Sequence, residues 1–165
     1  KVKEMLILPK ILDANPEITF YWVGDGVYRE KILPILSKFK NFTWLGSMNY
    51  PDQVREFLDE IDVYGLISGI DMSPLTLQEA QLNKKPVLAT NVGGIPELMK
   101  DKETGFLIEK GDHKEWIDKI SYLLNDEKTA HQMGLSGRKF IEENFSWNII
   151  AKKFVNNVQK ELNLK

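Results

Sequence analysis

The sequence contains no cysteine. That excludes a disulfide framework, a thiol nucleophile and any cysteine-ligated metal, and it fits a cytosolic home. Histidine is almost as scarce: His113 and His131 are the only two. Both sit in surface-type helical sequence, with no carboxylate spacing beside them that suggests a metal, so no metal site is expected. No G-x-x-x-x-G-K-[ST] string occurs, which excludes a P-loop. No apolar run approaches the ~18 residues of a membrane span, and no signal-peptide pattern opens the chain. Internal repeats and low-complexity segments are missing too. So is any excess of positive charge. The formal net charge is −2 at pH 7, which argues against a generic nucleic-acid binder.

What is present is the composition of an ordinary globular protein. Its 165 residues are 42% hydrophobic and 28% charged, enough for one domain with a real core. Lys1 to Ala14 reads as a helix with Met5, Leu8, Ile11 and Leu12 apolar, and Pro9 interrupts its first turns. A domain of this kind usually opens with a strand, so the sequence reads as truncated. Ile18 to Val23 is a dense β-branched and aromatic run, predicted as a strand buried on both faces. Gly24-Asp25-Gly26 breaks it, and a helix follows to about Lys38. Further strands are expected at Phe42–Leu45, Val63–Ile67, Pro86–Ala89 and Phe106–Ile108. Helices are expected at Asp52–Asp59, after Ser73, and at Asp112–Leu124 and Glu127–Asn144. The last helix runs from an N-cap at Ser146 to about Leu162, with an apolar stripe of Trp147, Ile150, Ala151, Phe154, Val155, Val158 and Leu162. That stripe suits packing on its own domain or on a second one. Strands alternating with helices imply a parallel sheet covered on both faces. Ligands of such sheets bind beyond the carboxyl ends of the strands. The loops there are Gly24–Gly26, Gly46–Met48, Ser68–Ser73 and Thr90–Gly94, each with a glycine that lets a ligand approach the backbone.

The third loop opens the most informative stretch, Asp71-Met72-Ser73-Pro74-Leu75-Thr76-Leu77-Gln78-Glu79. Ser73 is a good N-cap and Pro74 suits the first helical position. The free amides of Leu75 and Thr76 would then mark a helix start that can hold a phosphate. Glu79 lies roughly 7 to 8 Å down the axis at 1.5 Å per residue, within reach of sugar hydroxyls attached to that phosphate. Asp71 stands ready for hydroxyls on its far side. Glu79 shares a helical side with Leu75 and Leu82, whereas Gln78 and Gln81 take another. A glutamate in an apolar stripe wants a partner. Gly24-Asp25-Gly26 is not the dinucleotide fingerprint, since Arg29 stands where a third glycine belongs. Gly93-Gly94 is a turn at a strand's carboxyl end, where a ligand role and a purely structural one are equally open.

Several strings, taken in order, resemble the C-terminal half of a family 4 retaining glycosyltransferase of the two-domain GT-B fold. They are Val23-Gly24-Asp25-Gly26, Phe42-Thr43-Trp44-Leu45-Gly46, Ile61-Asp62-Val63, Ser68, the Asp71-to-Glu79 stretch with Ala80, and Pro86-Val87-Leu88-Ala89-Thr90. Val92-Gly93-Gly94-Ile95-Pro96-Glu97, Glu103-Thr104-Gly105-Phe106-Leu107-Ile108, Gly111-Asp112 and Phe145-Ser146-Trp147 follow. The resemblance implies a single Rossmann-like domain over 1–165 that binds a nucleotide sugar linked to UDP, GDP or ADP. It implies a ribose contact at Glu79 and a donor-sugar contact at Asp71, in the places of the family's paired glutamates. Phosphate contacts would fall at the amides of Leu75 and Thr76, at the helix start set by Ser73 and Pro74, and the base would meet Gly46, Ser47 and Met48. Gly24, Gly26, Gly93 and Gly94 complete the expected binding set. No metal or other cofactor is implied.

Three departures surround Asp71. Asp71 replaces the family's first glutamate and is on the order of 1.5 Å shorter in reach; Met72 replaces the following glycine; Ile67 replaces a proline. The family's first strand and its diphosphate-binding Arg would lie upstream, and Lys1 stands where the accompanying Lys belongs. The N-terminal acceptor-binding domain is expected upstream as well, so the isolated chain is expected to be inactive. Its acceptor would be a sugar, lipid or small molecule, its location cytoplasmic, with any membrane association left to that domain. A non-catalytic nucleotide- or partner-binding module on the same fold is the rival reading. A sugar-nucleotide epimerase fits the ordered strings less well.

Overall fold

The computed structural model describes residues 2–162. Lys1, given a role in the resemblance above, lies outside them. The chain opens with α1 (Val2–Met5) and α2 (Leu8–Ala14). One long helix was expected here; instead the helix breaks before Pro9, which occupies the first turn of α2 and lacks the N–H that a continuous helix would need. Next come β1 (Phe20–Val23), α3 (Arg29–Leu36), β2 (Phe42–Gly46), α4 (Asp52–Glu60) and β3 (Tyr64–Leu66). The second half holds α5 (Leu75–Leu82), β4 (Val87–Thr90), a 3-10 turn (Ile95–Glu97) and β5 (Gly105–Ile108). Three helices close the chain: α6 (His113–Asn125), α7 (Glu127–Phe145) and α8 (Trp147–Glu161).

All ladders are parallel, as the alternation of strands and helices predicts, but they form two sheets rather than one. β1 pairs β2, with Phe20 opposite Phe42 and Trp22 opposite Trp44. Separately, β3, β4 and β5 pair in that order, with Gly65 opposite Leu88 and Leu88 opposite Phe106. β4 is the centre of its sheet, and all four of its residues are buried. Its side chains alternate between the two layers, as a strand covered on both faces must. Leu88 joins Ile11, Trp116, Ile120, Leu123 and Met133 on one face. Val87 and Ala89 join Leu58, Leu77 and Ala80 on the other. β1 does not share this burial: Tyr21 is 52% exposed. The expectation that Ile18–Val23 is buried on both faces fails because β1 lies at an open edge, with a partner strand on one side only.

α7 lies close on α5. A Cβ at Gly134 would overlap the Lys84 carbonyl oxygen, and one at Gly137 would press on the Gln81 side chain. At the far end, no residue of α8 is buried, and Trp147 and Phe154 are largely exposed. The reading of its apolar stripe as packing on its own domain is therefore not upheld. Ser146 takes the N-cap position of α8 without a side-chain bond, whereas Asp112 caps α6 through the amides of Lys114 and Glu115.

Because its new methyl group would meet a backbone oxygen that cannot swing aside, Gly134→Ala is expected to destabilise the fold by about 1–3 kcal/mol. Urea unfolding would register this as a lower midpoint with an unchanged slope.

Candidate functional site

Parallel strands place all their carboxyl-end loops at one edge of the sheet, and local bonds fix each loop there. Gly24 adopts a positive φ and donates its N–H to the Gly46 carbonyl at 2.7 Å. Asp25 turns back to accept from the Gly26 amide at 2.7 Å and from Arg29 at 2.8 Å. Arg29 in turn lies over the Trp44 ring, whose indole N–H donates to the Gly24 carbonyl. The Gly24–Gly26 and Gly46–Met48 loops thus form one tied unit.

Ser68–Ser73 and Thr90–Gly94 form a second. The buried Thr90 hydroxyl accepts from the Ser68 amide at 3.1 Å and lies 3.3 Å from the Leu66 carbonyl. Lys110 donates to the Gly69 carbonyl at 3.2 Å and pairs with the buried Glu4 at 3.5 Å. The Gly94 amide donates to the Asp71 carbonyl at 2.9 Å. A Cβ at Gly93 would overlap the Asp71 carbonyl oxygen, and one at Gly94 the Met72 carbonyl oxygen. The two glycines therefore have a structural reason to be glycine: they let one loop backbone lie on the other. Met72, where the resemblance expects glycine, does not adopt a positive φ, so its backbone tolerates a side chain.

The helix after Asp71 starts one residue later than expected. Pro74 is the N-cap, with ψ 111, and neither it nor Ser73 caps with a side chain. An extended N-cap residue accepts a first-turn amide through its carbonyl, as Pro74 does from Leu77, and proline loses nothing there because its absent N–H had no partner to bond. Leu75 and Thr76 are then the first helical residues, and both are exposed. Their amides point out of the helix start with no intrahelical acceptor.

Glu79 lies one turn further along. The residues α5 buries are Leu77, Ala80 and Gln81, so the stripe of Leu75, Glu79 and Leu82 faces outward. Gln81 was expected on a polar side. It is instead fully buried, donating to the Leu98 carbonyl at 2.9 Å, a long-range bond that helical spacing does not reveal. Among the described residues the half-buried carboxylates of Glu79 and Asp71 form no ion pair. Glu79 lines a cavity of about 290 Å³ with Tyr50, Pro51, Arg55, Asn83 and Arg138. That cavity joins α5 to the segment following Met48. Arg55 and Arg138 escaped the sequence reading because they arrive from α4 and α7, with no local pattern linking them to Glu79.

Tyr64 ties β3 to the helix start and feels the charge of both carboxylates. Its hydroxyl donates to the Thr76 hydroxyl at 2.7 Å. Burial pushes its phenol up to about 12; the bond to Thr76 acts against this, and the Glu79 and Asp71 charges add to it.

An open parallel α/β domain with a helix-start cleft at the carboxyl edge of its strands is a Rossmann-like fold. The sequence pattern of the family described as glycosyl transferases group 1 matches residues 3–140. The chain belongs to that family. It is 28% identical over 157 residues to a sulfoquinovosyl transferase of Arabidopsis thaliana, covering 93% of this chain and 30% of the relative. Its fold matches a TarM mutant of S. aureus, solved in complex with fondaparinux, alpha-GlcNAc-glycerol and UDP, at TM-score 0.76 and 25% identity, covering 92% of this chain and 31% of that one. A sucrose-phosphate synthase from Thermosynechococcus elongatus matches in fold at TM-score 0.84 and 21% identity, covering 99% of this chain and 43% of that one. The fold is thus the GT-B half that the resemblance implied. This chain spans less than half the length of each of these proteins.

A phenol whose pKa is higher when folded than its unfolded value near 10 favours the fold while protonated. That stability is fully present below pH 10 and is lost as pH rises towards about 12. The stability difference between wild type and Tyr64→Phe, measured by denaturant unfolding, is therefore expected to shift against wild type over that interval. A difference that stays flat across it would exclude the raised pKa.

Proposed function

We propose that this chain is the donor-binding domain of a glycosyltransferase. It would bind a nucleoside diphosphate sugar linked to UDP, GDP or ADP. One observation carries this reading: a half-buried Glu79 with no ion pair among the described residues lies one turn below open helix-start amides, beside a cavity. Solution of the related TarM with UDP supports a nucleotide donor. In this arrangement the Leu75 and Thr76 amides receive the diphosphate, with the positive end of the helix dipole behind them. Glu79 accepts from the ribose hydroxyls, the Gly46–Met48 backbone meets the base, and Asp71 reaches for the donor sugar.

The reaction breaks the bond from the anomeric carbon to the diphosphate and forms one to an acceptor hydroxyl on the same face of the sugar. The protein contributes positioning and stabilises charge developing on the leaving diphosphate. No metal ion enters this scheme. The acceptor, a sugar, lipid or small molecule, would lie on an N-terminal domain, and the exposed apolar stripe of α8 is a suitable surface for that contact. The setting would be cytoplasmic. Without that domain and an upstream arginine, the isolated chain would bind donor weakly and transfer nothing.

The shorter Asp71 and the added Met72 side chain favour a second reading, a nucleotide- or partner-binding module that has lost transfer. Turnover of UDP-, GDP- and ADP-sugars by the full-length protein separates the two, and product of retained configuration supports the first.

Removing the Glu79 carboxylate deletes a charge-assisted bond of about 1.5–3 kcal/mol. Glu79→Ala is therefore expected to weaken binding of the preferred nucleoside diphosphate roughly tenfold to a hundredfold in calorimetric titration. Asp71→Ala is expected to leave the free nucleotide's affinity within about twofold, because that carboxylate would face the sugar. Equal losses from the two variants would contradict the division of roles.

A further inference from the structure

We propose that Lys110, held by the buried Glu4, is the positioning residue of the Asp71 loop: through the Gly69 carbonyl it aims Asp71, and so weights recognition of the donor's sugar rather than of its nucleotide. The inference rests on Asp71 facing the donor sugar, as proposed above.

Between β3 and α5, three consecutive carbonyls each accept one bond. Gly69 accepts from the Lys110 ammonium at 3.2 Å, Ile70 from the Ser68 hydroxyl at 3.0 Å and Asp71 from the Gly94 amide at 2.9 Å. The Ser68 bond is local and the Gly94 bond is main chain. Of these three donors, Lys110 is the side chain that arrives from a distant element. Its bond falls where the loop needs one. A single bond at Asp71 fixes where that residue sits but leaves the peptide free to turn about it. Gly69, two residues earlier, has no Cβ to restrict its backbone. Holding its carbonyl removes that freedom and sets the direction in which the Asp71 side chain leaves the chain.

A lysine by itself is a loose anchor. Its four-carbon stem is flexible and its ammonium is strongly hydrated, and Lys110 is half-exposed. Glu4 changes this. Its side chain is only 8% exposed, and one carboxylate oxygen lies 3.5 Å from the ammonium. The other oxygen meets no donor among the described residues. A buried carboxylate needs compensation, so the pair draws the ammonium inward and keeps it beside Gly69. The preceding residue ties down the next loop: Glu109 accepts from the Asn91 side chain at 2.6 Å. The two residues after β5 thus secure the Ser68–Ser73 and Thr90–Gly94 loops to the same part of the scaffold. The proposed nucleotide contacts Leu75, Thr76 and Glu79 lie on α5, which is seated by its own buried Leu77, Ala80 and Gln81. A shift at Gly69 therefore reaches Asp71 before it reaches the helix.

The test compares wild type with the double variant Lys110→Met/Glu4→Gln in the full-length protein. Removing both charges leaves no carboxylate buried alone. The first readout needs no ligand. Hydrogen exchange at the Gly94 amide, bonded to Asp71, is read against the Leu98 amide, bonded to Ile95. The double variant is expected to speed Gly94 at least roughly threefold relative to Leu98, because the loop has lost a bond that limits its local opening. The second readout is calorimetric affinity for UDP, GDP and ADP and for the glucose, N-acetylglucosamine and mannose conjugates of each. Free nucleotides are expected to bind within about twofold of wild type, while the affinity of the preferred conjugate relative to its own free nucleotide falls at least roughly fivefold. Lys110→Arg, which keeps a charge between Glu4 and Gly69, is expected to retain most of the wild-type ratio. If the double variant does not fold, Glu4→Gln alone is read in the same way, and both readouts are expected to move in the same direction by less. An unchanged Gly94 amide would overturn the proposal. So would a ratio that stays the same or rises, which is what a merely structural ion pair gives; the donor-site reading would survive either result. A wild-type protein that binds none of the nucleotides would overturn that reading, and the sugar weighting with it, whatever the Gly94 amide does.

Discussion

The close approach of two loop backbones, Gly93–Gly94 on Asp71–Met72, is the constraint on which the rest of the cleft depends. It sets the exit of the chain from β3, and hence where α5 begins and where its open amides point. The bond from the Gly94 amide to the Asp71 carbonyl fixes the distance between the loops. The absence of two Cβ atoms allows that distance. Thr90 and Lys110 hold the other end of the same loop through Ser68 and Gly69. The Asp71 carboxylate is thereby attached to a backbone anchored at both ends, on a scaffold whose central strand is wholly buried.

The two carboxylates of this cleft occupy different physical situations. Glu79 is on a helix, its backbone fixed by α5, and it lines a cavity shared with Arg55 and Arg138. Asp71 is on the loop, shorter than the glutamate the resemblance expects and followed by an exposed Met72. In the proposed reading, variation in a donor sugar would be accommodated more readily at the second position than at the first. The ribose and diphosphate parts of the proposed ligand are common to all such donors, and they map to the helix.

Much of the fold was legible because alternation and breaks are local. The Ile18–Val23 run, the Gly24 turn and the apolar Pro86–Ala89 stretch read directly as strand, loop and strand. The helix start after Asp71 was legible to within one residue; Pro74 rather than Ser73 is the cap, because an extended proline fits that position. What was not legible depends on distant packing. Spacing places Glu79 with Leu75 and Leu82 but cannot say whether that stripe faces the core. The Gln81 bond to Leu98 decides the matter, and Leu75 is left 67% exposed. The half-open β1 was missed for the same reason: its composition is that of a covered strand, and only the sheet order shows which edge lacks a neighbour.

The central claim is that a nucleoside diphosphate sits at the start of α5. The most direct measurement is a backbone amide NMR titration of the chain with UDP, GDP and ADP. The account predicts that one of the three shifts the Leu75 and Thr76 amides most strongly, together with Ser47 and Met48. Saturation with all three nucleotides while Leu75 and Thr76 remain unmoved, with shifts elsewhere or nowhere, would contradict it.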